Sequence, residues 1–247
     1  MWAVFWLVLA ACVSHGQEPL IVSAAVSLSE ALAAIAEAHI KAGGAPLRFN
    51  FAASNVLARQ IVNGAPVDVF ISADAAQMDI AQQASAIDPA TRADVVRNRL
   101  AVLMRAGQTA PVRDERDLRN PDIRRIAIGS PDAVPAGVYA REWLQAARVW
   151  NEIEHKIVPV GSVRASLAAV ENESVDAAIV YESDTLQARS SSIAFVVTSG
   201  GPQIAYPAAV VARSRRSDDA RRFVEFLRSR TAQEIFRRYR FQPISSP

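Results

Sequence analysis

From Leu20 onward, short apolar runs alternate with amphipathic runs, and this alternation limits the chain to a small number of folds. The run that begins at Leu20 predicts a strand. The apolar residues between Leu28 and Ile40 then recur at steps of three and four residues, as in a helix with one buried face. Further strands are predicted at 47–51 and 67–71, with helical runs after each. Such a βαβαβα order predicts a parallel sheet with helices on both faces.

A second alternating block follows the first and predicts a second α/β unit. Two apolar runs, near Leu100 and near Tyr206, are candidate crossings between the units, and the final helices are expected to return to the first unit. We therefore expect two lobes. Lobe I comprises residues 18–101 together with 207–247, and lobe II comprises residues 102–206.

The charges of the chain are nearly balanced. Its 247 residues include 27 basic and 25 acidic ones, for a formal net charge of +2, and 51% of them are hydrophobic. This composition is typical of a globular protein and provides little electrostatic attraction toward a polyanion. We expect no nucleic-acid partner.

Residues 1–17 have the features of an export signal peptide. An apolar run that is too short to span a bilayer is followed by polar residues. The run 9–12, Leu-Ala-Ala-Cys, resembles the lipobox of bacterial lipoproteins, so a lipid anchor at Cys12 stays open beside conventional cleavage, which we favour. Since Cys12 is the only cysteine, we expect neither a disulfide nor a cysteine–zinc site.

Five short segments place small residues directly after strand-like runs. The first four also lead into helical runs, where free backbone N–H groups and the positive ends of helix dipoles collect. Such segments are predicted to form an anion-binding cradle that needs no charged side chain. They are residues 23–28, 50–55, 134–137, 160–164 and 179–181.

Several stretches of the sequence resemble one known family. They are residues 23–28, 58–61 with 64–74, 127–131, 134–140 and 179–181, and the match extends in order from about Leu20 to Phe241. The combination is similar to the periplasmic molybdate-binding protein of ABC transporters. This resemblance implies an α/β protein with the type II periplasmic-binding fold, in which two α/β lobes joined by a hinge enclose a ligand cleft.

The resemblance also implies five ligand contacts. Ser27 and Ser54 would bind the oxyanion through hydroxyl and backbone N–H groups. Ala136 and Val163 would bind it through backbone N–H groups, and Tyr181 through its phenol. Converging dipoles of this kind satisfy the oxygens of a tetrahedral dianion without a fixed cation. A proton on the ligand would meet a donor and nothing to accept it, so we expect an unprotonated oxyanion.

The function implied by the resemblance is transport rather than catalysis. The protein would capture molybdate, and tungstate as well, in the periplasm and deliver it to a membrane ABC permease. Molybdenum would be held as its oxyanion, with no cofactor and no side chain bound directly to the metal. We expect a monomer without enzyme activity.

Three other interpretations stay open. Ser27 begins a Ser-Leu-Ser-Glu run with capping-box spacing, so Ser27, like Ser54, would fit a structural helix cap. A receptor for another oxyanion or a small organic anion would use the same fold. A cleft enzyme would use carboxylates at strand ends, although the sequence has no Gly-x-Ser-x-Gly and no His-Glu-x-x-His motif. The candidate carboxylates are Asp68, Asp74, Asp176 and Asp184.

Overall fold

Two five-stranded sheets with flanking helices form the part of the chain that the computed structural model describes, residues 18–108 and 111–244. The expected export signal at residues 1–17, including Cys12, lies outside this part. Among the described residues, no helix has the length and apolar character needed to cross a membrane.

The strands and helices alternate along the chain as the sequence predicts. The strands are β1 (Leu20–Ala25), β2 (Leu47–Ala52), β3 (Val69–Ile71), β4 (Ala93–Asn98), β5 (Leu100–Met104), β6 (Ile126–Gly129), β7 (Ile157–Val160), β8 (Ala177–Tyr181), β9 (Ser192–Val196) and β10 (Ile204–Val210). The helices are α1 (Ser29–Lys41), α2 (Ser54–Val62), α3 (Ala75–Gln83), α4 (Pro135–Ala146), α5 (Trp150–Ile153), α6 (Val163–Glu171), α7 (Ser217–Leu227) and α8 (Arg230–Arg238).

Both sheets are mixed, whereas the sequence predicts a parallel one. The strand order is β2-β1-β3-β10-β4 in lobe I and β7-β6-β8-β5-β9 in lobe II. In lobe I, β1 pairs in parallel with β2 and β3, but β10 is antiparallel to β3 and β4. In lobe II, β5 is likewise antiparallel to β8 and β9. The prediction is wrong for β5 and β10 because each enters its sheet from an interlobe crossing, without the helical crossover that parallel neighbours need.

The chain crosses between the sheets at two places. Arg99 alone separates β4 from β5, and a loop at 197–203 separates β9 from β10. Strands β5 and β10 thus begin at Leu100 and Ile204, close to the expected boundaries at 101 and 206. Which residues divide the two lobes stays a prediction.

The last two helices return to lobe I, as predicted. Helix α7 packs against β10 and α1, and α8 packs against α1. Beyond α8, the Phe241 ring lies edge-on to Tyr206, with 5.7 Å between ring centroids. Gln242 exchanges two backbone hydrogen bonds with Arg97, each 2.8 Å. The C-terminal segment is therefore attached to β4 just before the first crossing.

The start of α4 packs directly against the end of β6. A Cβ atom at Gly137 would lie 1.8 Å from the carbonyl oxygen of Gly129 and 2.4 Å from its carbonyl carbon. Backbone atoms cannot rotate away as a side chain does, so only glycine allows this approach. The contact sets how far the first turn of α4, with Ala136, extends into the cleft between the lobes.

We expect Gly137→Ala to displace α4 from β6 and to lower the free energy of unfolding by about 1–3 kcal/mol or more, as overpacking does. Gly161→Ala is the matched control, because a Cβ at Gly161 meets nothing within 4 Å. Denaturant unfolding of both variants measures the difference. Equal stability of the two variants would contradict the packing argument.

Candidate anion-binding site

A cavity of ≈ 20 Å³ lies between the two lobes, where the carboxyl ends of the strands meet the starts of the helices. Both lobes contribute to its wall, and all five residues predicted to contact the ligand are part of it. Its lining residues are Ala25, Val26, Ser27, Ala52, Ala53, Ser54, Ala73, Val134, Pro135, Ala136, Val163 and Tyr181. Among the described residues, no charged side chain contributes to this wall.

Neither serine of the cavity is a helix cap. Ser27 lies in a 3₁₀ turn over Val26–Leu28, and α1 begins only at Ser29, with Leu28 at the N-cap position. Ser54 is the first residue of α2, after Ala53 at the N-cap. The interpretation of both serines as structural caps is therefore wrong. In both cases the serine follows the end of a strand by two residues and lines the cavity.

The hydroxyl of Ser54 is prepared to donate a hydrogen bond. Its Oγ accepts the backbone N–H of Ala73 at 2.9 Å. With this acceptor position occupied, the remaining proton is available to a group in the cavity. Ser54 itself is almost fully buried, with 1% of its surface exposed.

Ala136 and Val163 present backbone N–H groups. Ala136 is the second residue of α4, after Pro135, and Val163 is the first residue of α6. The first N–H groups of a helix have no acceptor within the helix and lie at the positive end of its dipole. Ser162 caps α6 by accepting the N–H of Ala165 at 3.2 Å, so its side chain caps this N–H rather than that of Val163.

Tyr181 supplies a buried phenol at the end of β8. Only 1% of the residue is exposed, and its Oη has no hydrogen-bond partner among the described residues. Burial raises the pKa of this phenol well above its usual value, so it keeps its proton. An unpaired buried hydroxyl costs about 1–3 kcal/mol, which a ligand acceptor in the cavity would remove.

The four strand-end carboxylates all have structural partners, and none of them lines the cavity. Asp68 accepts the N–H of Ile21 at 2.8 Å and Asp74 caps α3 by accepting the N–H of Gln77 at 2.9 Å. Asp176 accepts the backbone N–H groups of Arg124 and Arg125, at 2.8 and 3.0 Å. Asp184 belongs to an ion cluster beside the cavity.

This cluster joins the two lobes. Arg164, next to Val163 on α6, pairs with Glu30 of α1 in lobe I. Its Nε also lies 3.0 Å from Asp184 Oδ1, without the alignment of a hydrogen bond. The Asp184 carboxylate is fully buried, and its other oxygen accepts the N–H of Tyr181 at 3.3 Å. Burial raises the pKa of Asp184 to about 6, although Arg164 opposes the shift.

The structure adds two polar residues that the sequence analysis missed. Tyr206 Oη lies 3.0 Å from Ser27 Oγ, and Asn98 Nδ2 lies 3.2 Å from Tyr206 Oη. The sequence pattern indicates Tyr206 only as part of a candidate crossing between the lobes. No spacing pattern indicates these contacts, because 179 residues separate Ser27 from Tyr206 in the sequence.

Comparison with known proteins identifies the group to which the chain is related. The model of the bacterial extracellular solute-binding protein family matches residues 20–242. The chain belongs to this family. The molybdate-binding protein ModA of Escherichia coli is 36% identical over 228 residues, which cover 89% of this chain and 87% of that protein.

Solved structures of similar proteins share the fold. A substrate-binding domain attributed to a molybdenum ABC transporter of Clostridium difficile superposes with a TM-score of 0.73 at 33% identity, covering 92% of this chain and 99% of that chain. The periplasmic molybdate-binding protein of Azotobacter vinelandii gives 0.79 at 21% identity, covering 92% and 100%. The resemblance and the type II periplasmic-binding fold are thus confirmed, whereas ligand contact by the five residues stays a prediction.

We expect Ser27→Ala and Ser54→Ala each to weaken molybdate binding by roughly 1.5–3 kcal/mol, because each removes one donor to a dianion. Ser166→Ala is the control, since Ser166 is buried in α6 but does not line the cavity. Isothermal titration gives the affinities. Intact affinity in both cavity variants would exclude this site.

We expect Arg164→Met to destabilise the protein by about 3–5 kcal/mol near neutral pH, because Asp184 would remain buried without its counter-ion. A carboxyl group with a raised folded-state pKa costs stability as pH rises from its unfolded value, 3.8, through its folded value of about 6. The loss of stability caused by Arg164→Met should therefore be smaller at acidic pH. The double variant Arg164→Met/Asp184→Asn should recover most of the lost stability. Thermal melts across this pH range measure both variants, and a loss of stability that does not change with pH would contradict the argument.

Proposed function

We propose that the protein captures molybdate and delivers it to a membrane ABC permease. The observation that carries this proposal is the phenol of Tyr181, which is buried without a hydrogen-bond partner among the described residues, in a cavity whose other polar groups are neutral donors. Converging neutral donors can satisfy the oxygens of a small, fully ionised oxyanion without a fixed cation. The relatives named for molybdate support this choice among the oxyanions.

The size of the cavity favours an inorganic anion over an organic one. A single water needs a cavity of about 10–15 Å³, and this cavity has ≈ 20 Å³. We accordingly rank an organic-anion receptor below the molybdate receptor.

We propose no catalytic step at this site. A serine nucleophile would need a base beside it, and the described histidines do not line the cavity. His39 is instead packed edge-on to Phe223 and Phe226, with centroids 5.1 and 5.0 Å away. Nor do the described residues contain a group of three or more side chains able to hold a metal ion.

The proposal extends to the biological setting. We place the protein in the periplasm as a monomer, and we include tungstate, an ion of the same charge and shape, among its ligands. A lipid anchor at Cys12 would keep the receptor at the membrane that holds its permease. Binding would bring together donors from lobe I, Ser27 and Ser54, and donors from lobe II, so that closure signals the loaded state.

Titration calorimetry with molybdate, tungstate, sulfate and phosphate tests the proposal. We expect tight one-to-one binding of molybdate and tungstate. A ligand that binds only the folded protein also stabilises it, by about 4 kcal/mol at a thousandfold excess over its Kd, so molybdate should raise the Tm. An unchanged Tm at saturating molybdate, together with a shift by phosphate or an organic anion, would assign the site to another ligand.

A further inference from the structure

A buried chain of hydrogen bonds connects Ser27 to the two crossings between the lobes. Asn98, the last residue of β4, donates from Nδ2 to Tyr206 Oη at 3.2 Å and to Ser183 Oγ at 2.9 Å. Tyr206 Oη lies 3.0 Å from Ser27 Oγ. All four residues are buried, with at most 6% of their surface exposed. Solvent is therefore excluded as an alternative partner.

The orientation of the Asn98 amide determines which group donates and which accepts in each of these hydrogen bonds. Its Oδ1 accepts the backbone N–H of Arg99 at 2.9 Å, so the NH₂ group must be the side that faces Tyr206. Tyr206 Oη thus accepts a hydrogen bond. Its own proton then has Ser27 Oγ as its partner, and leaving this buried proton unpaired would be costly.

The same logic determines what Ser27 offers to the cavity. Once Ser27 Oγ accepts from Tyr206, its remaining proton is directed away from Tyr206, and Ser27 lines the cavity. Rotation of the Ser27 hydroxyl toward Tyr206 would place two donors, Asn98 and Ser27, on one phenol and leave the phenol proton without an acceptor. With one lone pair of Ser27 Oγ occupied by the phenol proton, the serine presents its own proton to the ligand.

We propose that Tyr206 and Asn98 are positioning residues that make Ser27 a donor and thereby exclude oxyanions that carry a proton. This inference rests on the proposed oxyanion-binding function and adds the origin of its selectivity. An oxyanion that presents an O–H group to Ser27 would meet a second donor, whereas molybdate and sulfate present only acceptors.

The test is Tyr206→Phe, which keeps the ring and removes the hydroxyl that donates to Ser27. Affinities for molybdate, sulfate and phosphate are measured at about pH 8, where phosphate is a dianion that still carries one proton. Tyr239→Phe is the matched control, because Tyr239 is a partly buried tyrosine outside the cavity wall. Melts without ligand check that each variant is folded.

We expect the ratio of molybdate to phosphate affinity to fall by about tenfold or more in Tyr206→Phe, because the phenol proton no longer occupies a lone pair of Ser27 Oγ and both lone pairs become available to the phosphate O–H. The ratio of molybdate to sulfate affinity should stay constant, since neither ion carries a proton. A pocket that had merely loosened would alter this second ratio as well. Tyr239→Phe should change neither ratio.

Asn98→Leu keeps the test decisive if Tyr206→Phe folds poorly, and a double variant tests whether Tyr206 acts through Ser27. Asn98→Leu removes the donor that orients Tyr206. It should lower the ratio of molybdate to phosphate affinity, as Tyr206→Phe does. In a Ser27→Ala background, Tyr206→Phe should have no further effect on that ratio, as expected for a residue that acts through Ser27.

Separate outcomes contradict the inference and the proposed function. If the wild-type protein binds molybdate and the molybdate-to-phosphate ratio is the same in Tyr206→Phe or Asn98→Leu, the positioning role is wrong and the receptor function stands. If the wild-type protein binds no molybdate, the proposed function fails, and the inference fails with it.

Discussion

Holding an anion without a cation requires that each nearby hydroxyl be turned to donate, and the arrangement of the cleft depends on this constraint. The acceptor side of Ser54 is occupied by the N–H of Ala73, and that of Ser27 lies against Tyr206. The backbone donors are provided by the first turns of α4 and α6, where N–H groups lack partners within the helix. The groups that bond to the two serine hydroxyls are therefore as important for anion binding as the residues that line the cavity.

Division of the donors between two lobes makes the site a property of their closed arrangement. Neither lobe alone provides the full set of hydroxyl and N–H groups that line the cavity. The pairing of Arg164 with Glu30 spans the same cleft, next to Val163. Because Arg164 also lies beside the buried Asp184, the interlobe contact and the position of Tyr181 depend on one charge cluster.

The sequence was sufficient for the fold class and for bringing the five predicted site residues to one cavity, because strand ends and helix starts follow local patterns. It was insufficient where distant segments decide the outcome. Strand β4 was missed because Asp94 and Arg97 interrupt its apolar residues, and the antiparallel direction of β10 follows from its crossing. Ser27 fits a capping box, yet the 3₁₀ turn at Val26–Leu28 moves the helix start beyond it. Its contact with Tyr206 depends on tertiary structure alone.

The position of β10 inside the lobe I sheet has a consequence for how the protein folds. Strands β5 to β9 form the lobe II sheet from one continuous stretch, so this sheet can form as soon as that stretch is present. The lobe I sheet has to wait for β10, which lies between β3 and β4, and for the helices that follow it. Contacts between such distant segments form slowly. In a chain synthesised from its N-terminus, the lobe that begins first is the one completed last.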